Sequence, residues 1–181
     1  MTNLNASKVR QLLLWRHAKS DWSNPQLIDH DRPLAPRGKR AAKMIARWII
    51  ENDRLPDKIL CSSAKRTQQT LKRLENALPA LQFDLVAELY HAEIETLLEM
   101  IENTDPTVKR LMLVGHNPGF EALVLALQKR ENGLELSSEK IMPTGAIAEF
   151  NWLGNWSDGL NSDIQLQQII RPRDLIHSSQ G

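Results

Sequence analysis

The chain has 181 residues, 41% apolar and 25% charged, with a formal net charge of +1. That balance suits one globular domain over residues 1–181 and gives no electrostatic case for nucleic acid or an anionic membrane. A lone cysteine, Cys61, excludes an intrachain disulfide, no run is long enough to span a bilayer, and polar Met1–Lys8 lacks a leader's apolar core, so a cytoplasmic protein is expected.

Val9 to Trp15 is a short apolar run bounded by charge, which predicts a buried strand. Polar Ala18 to Ala35 follows, with Pro25 and Pro33, as a candidate lid or substrate loop. Pro36 suits the first position of a helix running to about Asn52, where Ala42, Ile45, Trp48 and Ile49 share one face. Lys58 to Cys61 predicts a second strand, with Cys61 a buried residue rather than a nucleophile. Ser62 is placed to cap a helix from Ser63 to Leu78. Leu81 to Val86 predicts a third strand, and Ile94 to Ile101 a helix with Leu97, Leu98 and Ile101 inward.

Leu111 to Val114 predicts a fourth strand, and Phe120 to Lys129 the helix after it. Arg130 to Pro143 reads as an exposed loop. Ala146 to Trp152 alternates as a half-buried strand does, and Ile164 to Ile170 as a final edge strand, with a frayed tail after Arg171. Alternating strands and helices imply an α/β fold with a mostly parallel sheet.

Three places carry chemistry. At the end of the first strand, Arg16 and His17 enter the crevice where open parallel sheets bind ligands. Arginine grips anions with a planar fork, and a neutral imidazole can be a nucleophile near pH 7. At the end of the fourth strand, Gly115-His116-Asn117-Pro118-Gly119 delivers a second histidine, which is either convergent with the first or a loop residue bonded to backbone. Arg66 falls in the first turn of a helix, where its charge opposes the helix dipole. It is either a solvated cation or one that shares an anion with the helix N-terminus.

Together these segments resemble the histidine phosphatase superfamily. Leu14-Trp15-Arg16-His17-Ala18 is similar to its first histidine motif, with alanine in place of the more common glycine. Arg32-Pro33-Leu34-Ala35-Pro36-Arg37-Gly38 resembles the segment that opens the first helix. Ser62 to Thr70 resembles Ser-Pro-x-x-Arg-x-x-Gln-Thr, with Ser63 replacing proline, and Val114-Gly115-His116-Asn117 resembles the second histidine motif. Arg16-His17-Ala18-Lys19-Ser20, Asp31-Arg32-Pro33-Leu34, His116-Asn117-Pro118 and Pro143-Thr144-Gly145-Ala146-Ile147-Ala148 resemble the short branch of SixA-type phosphohistidine phosphatases.

The resemblance implies a three-layer α/β/α, phosphoglycerate mutase-like fold and a two-step transfer through phosphohistidine on His17. It implies that Arg16, Arg66 and His116 surround the phosphoryl oxygens. Arg32 is a fourth contact or an ion pair with Asp29 or Asp31. Glu88 matches the position of the acid, unless it is a solvated strand-end residue, with His91 a less favoured substitute. No metal or cofactor is implied. The expected substrate is phosphohistidine in a partner protein, the alternative a small phosphorylated metabolite hydrolysed as a phosphomonoester. A phosphate-dependent binding module is the non-enzyme alternative, and the oligomeric state is left open.

Overall fold

The structure is a computed structural model and describes residues 9–78, 81–128 and 141–177. Residues 1–8 and 178–181, and all of the expected 130–143 loop before Ile141, lie outside the described residues.

Among the described residues six strands form one sheet: β1 (Val9–Arg16), β2 (Lys58–Ser62), β3 (Asp84–Val86), β4 (Arg110–Gly115), β5 (Ile147–Leu153) and β6 (Asp163–Ile170). Their order is β3-β2-β4-β1-β5-β6. The first four are mutually parallel, and β5 runs antiparallel to both its neighbours. The long helices are α1 (Pro36–Glu51), α2 (Lys65–Glu75), α3 (Ile94–Glu102) and α4 (Gly119–Gln128). Among the described residues no helix is long and apolar enough to cross a membrane.

Strand β1 is apolar from Leu12 to Trp15 because both of its faces are covered there, as parallel strands between helix layers require. Leu12 and Leu14 join the core packed under α3 and α4, with Leu97, Leu123 and Phe150. Leu13 and Trp15 point the other way, into the core under α1 and α2, with Ile45, Ile49 and Leu71. All four are fully buried, each contributing about 1.5–3 kcal/mol of hydrophobic free energy. The expected three layers follow from this alternation.

Several local readings are corrected. Ser62 does not cap α2: Ala64 occupies the N-cap position and makes no side-chain cap bond. The third strand has only three residues, and the Leu81 amide donates to the Leu78 carbonyl at 2.9 Å outside any strand. Met142, at the end of the expected exposed loop, is fully buried. Strand β5 is buried on both faces over Ile147–Phe150 rather than alternating, because it lies between β1 and β6 with cores on either side. The C-terminal stretch does not fray at once but forms α5 (Asp174–His177), which begins where Asp174 accepts from the Arg171 amide at 3.0 Å.

Register decides where the chemistry falls. Arg16 pairs with Gly115 at the ends of β1 and β4, so the next residues, His17 and His116, leave adjacent parallel strands at the same level. The His17 amide still donates to the Gly115 carbonyl at 3.0 Å. Strand β2 ends one ladder over, at Ser62.

Candidate active site

Two segments brace the turn after β1. The Gly145 amide donates to the His17 carbonyl at 3.0 Å, and Trp15 Nε1 donates to the Gly145 carbonyl at 3.2 Å. Gly145 has φ +87, a left-handed conformation that side chains resist. On the other side, Ala18 donates its amide to Thr70 Oγ1 at 3.1 Å, while that hydroxyl donates to the Arg66 carbonyl at 2.7 Å. Gly38 of α1 packs so closely on this turn that a Cβ would stand 2.2 Å from the Lys19 carbonyl oxygen.

The His17 ring is oriented by two bonds. Its Nδ1 donates to the Ala18 carbonyl at 2.8 Å, and its Nε2 accepts from Arg66 Nε at 3.3 Å. The ring is therefore the tautomer whose Nε2 lone pair faces the site. Burial, then the charges of Arg66 and Arg16, push its pKa down to about 4 against the pull of the Ala18 carbonyl and Asp29. His17 is thus neutral at pH 7.

His116 lies beside it, with ring centroids 5.0 Å apart. Its Nε2 is 2.8 Å from Ser62 Oγ, and Ser62 Oγ accepts from the Ala64 amide at 3.4 Å. The hydroxyl proton is then free to go to Nε2, which leaves a proton on Nδ1. That Nδ1 is buried and has no hydrogen-bond partner among the described residues. Burial, with the neighbouring His17 and Arg66, pushes the pKa of His116 down to about 2.

Both histidines make stability sensitive to acid. In the unfolded chain an imidazole titrates near about 6.5, whereas folded His17 takes its proton only at about 4. Between these values the unfolded chain binds more protons, so stability is complete above the unfolded pKa and falls as pH drops toward the folded one. The limiting slope is about 1.4 kcal/mol per pH unit for each such group. Thermal unfolding scanned from pH 7.5 to 5 is expected to show a falling midpoint. His116→Asn is expected to flatten that fall, and an unchanged slope would contradict the burial of a neutral ring.

Arg66, expected in a first turn, stands second in α2. Its fork reaches two groups of Asp29, the backbone carbonyl at 2.6 Å and Oδ2 at 2.9 Å. The dipole conflict is thus answered in part by a carboxylate from the 18–35 loop. Asp29 Oδ2 also accepts from Tyr90 Oη at 2.7 Å and stands 3.4 Å from His91 Nε2. Burial opposes its charge, but the bonds and charges of Tyr90, Arg66 and His91 hold its pKa at about 2.

Arg16 donates to the Met142 carbonyl, while its Nε is buried with no hydrogen-bond partner among the described residues. Burial lowers its pKa and Glu121 works the other way. Arg32 is buried, with its guanidinium 4.1 Å from the exposed Trp22 ring and its Nε 4.0 Å from Asp29 Oδ1. Of its two expected acidic partners it takes Asp29, and through Asp29 it reaches the rim of the site.

Glu88 is not brought to this place. It is exposed in the short 3-10 turn Ala87–Leu89 and lines a separate cleft of about 590 Å³ with Lys58, Leu60, Thr96 and Glu99. No described hydrogen bond or ion pair joins it to His17, Arg66 or His116. The residues just after that turn, Tyr90 and exposed His91, instead lie at the site, with His91 at φ 55 and its ring stacked on His116 at 5.5 Å. His30 packs edge-on against Tyr90 and has Nε2 3.0 Å from Ser63 Oγ. Tyr90 joins this cluster without having been singled out in the sequence, while Asp29, Ser62 and Thr70 stand out there only for an ion pair, a helix cap and a motif end.

Residues 12–122 match the model of the histidine phosphatase superfamily, branch 1. An uncharacterized protein of Mycobacterium tuberculosis is 37% identical over 146 residues, which is 79% of this chain and 90% of that protein. A protein of Nakamurella multipartitia provisionally assigned as the phosphohistidine phosphatase SixA superposes with TM-score 0.78 at 27% identity, covering 91% of this chain and 96% of that one. A counterpart from Agrobacterium tumefaciens, with the same provisional assignment, gives TM-score 0.73 at 29% identity over 90% and 98% of the two chains. With two neutral histidines at the sheet edge and two arginine forks around them, the chain belongs to branch 1 of the histidine phosphatase superfamily, beside its SixA-type members, and is a phosphatase rather than a binding module.

Proposed function

We propose that the protein removes the phosphoryl group from phosphohistidine in a partner protein, by way of a phosphorylated His17. His17 Nε2 attacks phosphorus in line, and the P–N bond to the substrate breaks. The substrate ring, protonated on its far nitrogen, leaves as neutral imidazole. Water then attacks the phosphoryl group on His17, releasing inorganic phosphate and regenerating the neutral ring. The forks of Arg16 and Arg66 and the Nδ1 proton of His116 meet the charge on the equatorial oxygens. Arg32 backs them through Asp29.

One observation carries the choice of substrate. The carboxylate bonded into this site, Asp29, is held ionised with a pKa of about 2, and Glu88 lies elsewhere. A protonated carboxylic acid is what an alkoxide leaving group needs most. An imidazole leaves with less help, so a site built around an ionised Asp29 suits a phosphoramidate.

Purified protein given a phosphohistidine-bearing carrier protein and glycerol 2-phosphate side by side is expected to cleave the former at least about 100-fold faster. Faster cleavage of the glycerol ester would overturn the choice. The second reading, a small phosphomonoester, is favoured by one observation: the exposed His91 ring, stacked on His116, is a group that could protonate an alkoxide. On that reading His91→Gln cripples ester hydrolysis; on the first it leaves phosphohistidine turnover within about threefold.

A further inference from the structure

A cleft of about 860 Å³ opens beside the site, between the first turns of α1, the C-terminal turn at α5 and the 143–144 segment. Six cations line it: Arg16, Lys19, Arg37, Arg40, Arg171 and Arg173. None of its described lining residues is a carboxylate; Asp174 pairs with Arg173 at 3.8 Å, and Glu121 acts on Arg16. The whole chain has 23 Lys and Arg against 22 Asp and Glu, so this concentration is local rather than general.

Three features point to an anion. Like charges around one concavity repel, and α1 adds to the conflict, since Arg37 and Arg40 stand near a helix N-terminus that has no acidic residue and no side-chain cap. Arg16 and Arg171 each keep a buried Nε with no hydrogen-bond partner among the described residues. The positions 37, 40, 41 and 44 repeat at helical spacing, so one stripe of α1 faces the cleft while Ala42, Ile45 and Ile49 face the core.

Guanidinium forks match phosphoryl oxygens in pairs, and several forks call for more than one phosphoryl group. Met44, Pro172 and Ile176 supply an apolar wall, which suits an organic body. The volume falls within the range of about 300–1,000 Å³ typical of small-molecule sites, rather than of a flat protein contact. We propose that this cleft binds a small organic polyphosphate, a molecule with an apolar body and at least two phosphoryl groups. Arg16 belongs to both places, so occupancy of the cleft is coupled to the reaction at His17.

The test is calorimetric titration of the whole chain at 0.15 M salt, about the physiological ionic strength, with ATP, inositol hexakisphosphate, inorganic triphosphate and a hexaglutamate peptide as probes. At least one organic polyphosphate is expected to bind more tightly than triphosphate or the peptide. Arg40→Ala and Arg171→Ala are each expected to weaken it about tenfold, with hydrolysis of p-nitrophenyl phosphate unchanged. Met44→Glu, which puts a carboxylate in the wall, is expected to weaken it too and covers the case where Arg171→Ala misfolds. Arg66→Ala is expected to leave this binding within about twofold. Three results would each overturn the proposal: no probe bound, peptide bound as tightly as polyphosphate, or binding lost in Arg66→Ala but kept in Arg40→Ala. The last would put the anion at His17, and leaves the phosphohistidine reading standing.

Discussion

His17→Ala is expected to lower kcat by roughly four orders of magnitude or more, with the fold intact, because it removes the atom to which phosphorus is transferred. The substitution leaves both supports of the turn in place, since Gly145 and Thr70 bond to backbone at positions 17 and 18. It also removes the ring whose neutrality costs stability in acid, so the variant's unfolding midpoint is expected to fall less than that of the wild type between pH 7.5 and 5. A variant that keeps more than a few per cent of the wild-type rate would mean that phosphorus goes directly to water.

Arg66→Ala is expected to lower kcat/KM by roughly 100- to 1,000-fold, the usual scale for losing a preorganised charge on a transition-state oxyanion. The loss has two sources. The fork no longer meets the phosphoryl oxygens, and Asp29, freed from the bonds to its carbonyl and Oδ2, leaves an unbalanced carboxylate near the incoming anion. Arg66→Lys is expected to recover little, because an ammonium cannot reach His17 Nε2, the Asp29 carbonyl and the Asp29 carboxylate together. Steady-state kinetics on a phosphohistidine carrier measures both variants. A tenfold loss or less in Arg66→Ala would make Arg66 a structural partner of Asp29 only.

How much of this the chain discloses depends on how local each cause is. Strands β1 and β4 are legible because unbroken apolar runs have few other uses, and Arg66 is legible because a cation in a first turn breaks a local rule. His17 and His116 follow from strand ends alone. Asp29 is different: it sits in a polar loop without periodicity, and only the folding of that loop over α2 brings it to Arg66. Glu88 and His91 differ by three positions on one short turn, and their directions depend on the left-handed backbone at His91, which neither its sequence nor its neighbours announce. The basic cleft was invisible for a similar reason. Its cations come from three separate segments, and a net charge of +1 hides them.

The most direct measurement is rapid quenching of a reaction with radiolabelled phosphohistidine carrier, followed by peptide mapping. The account predicts a label that is stable to alkali, lost in acid, confined to the peptide that carries His17, and absent from His17→Ala. A label on His116 or His91, or no protein-bound label at any quench time while phosphate is released, would contradict it.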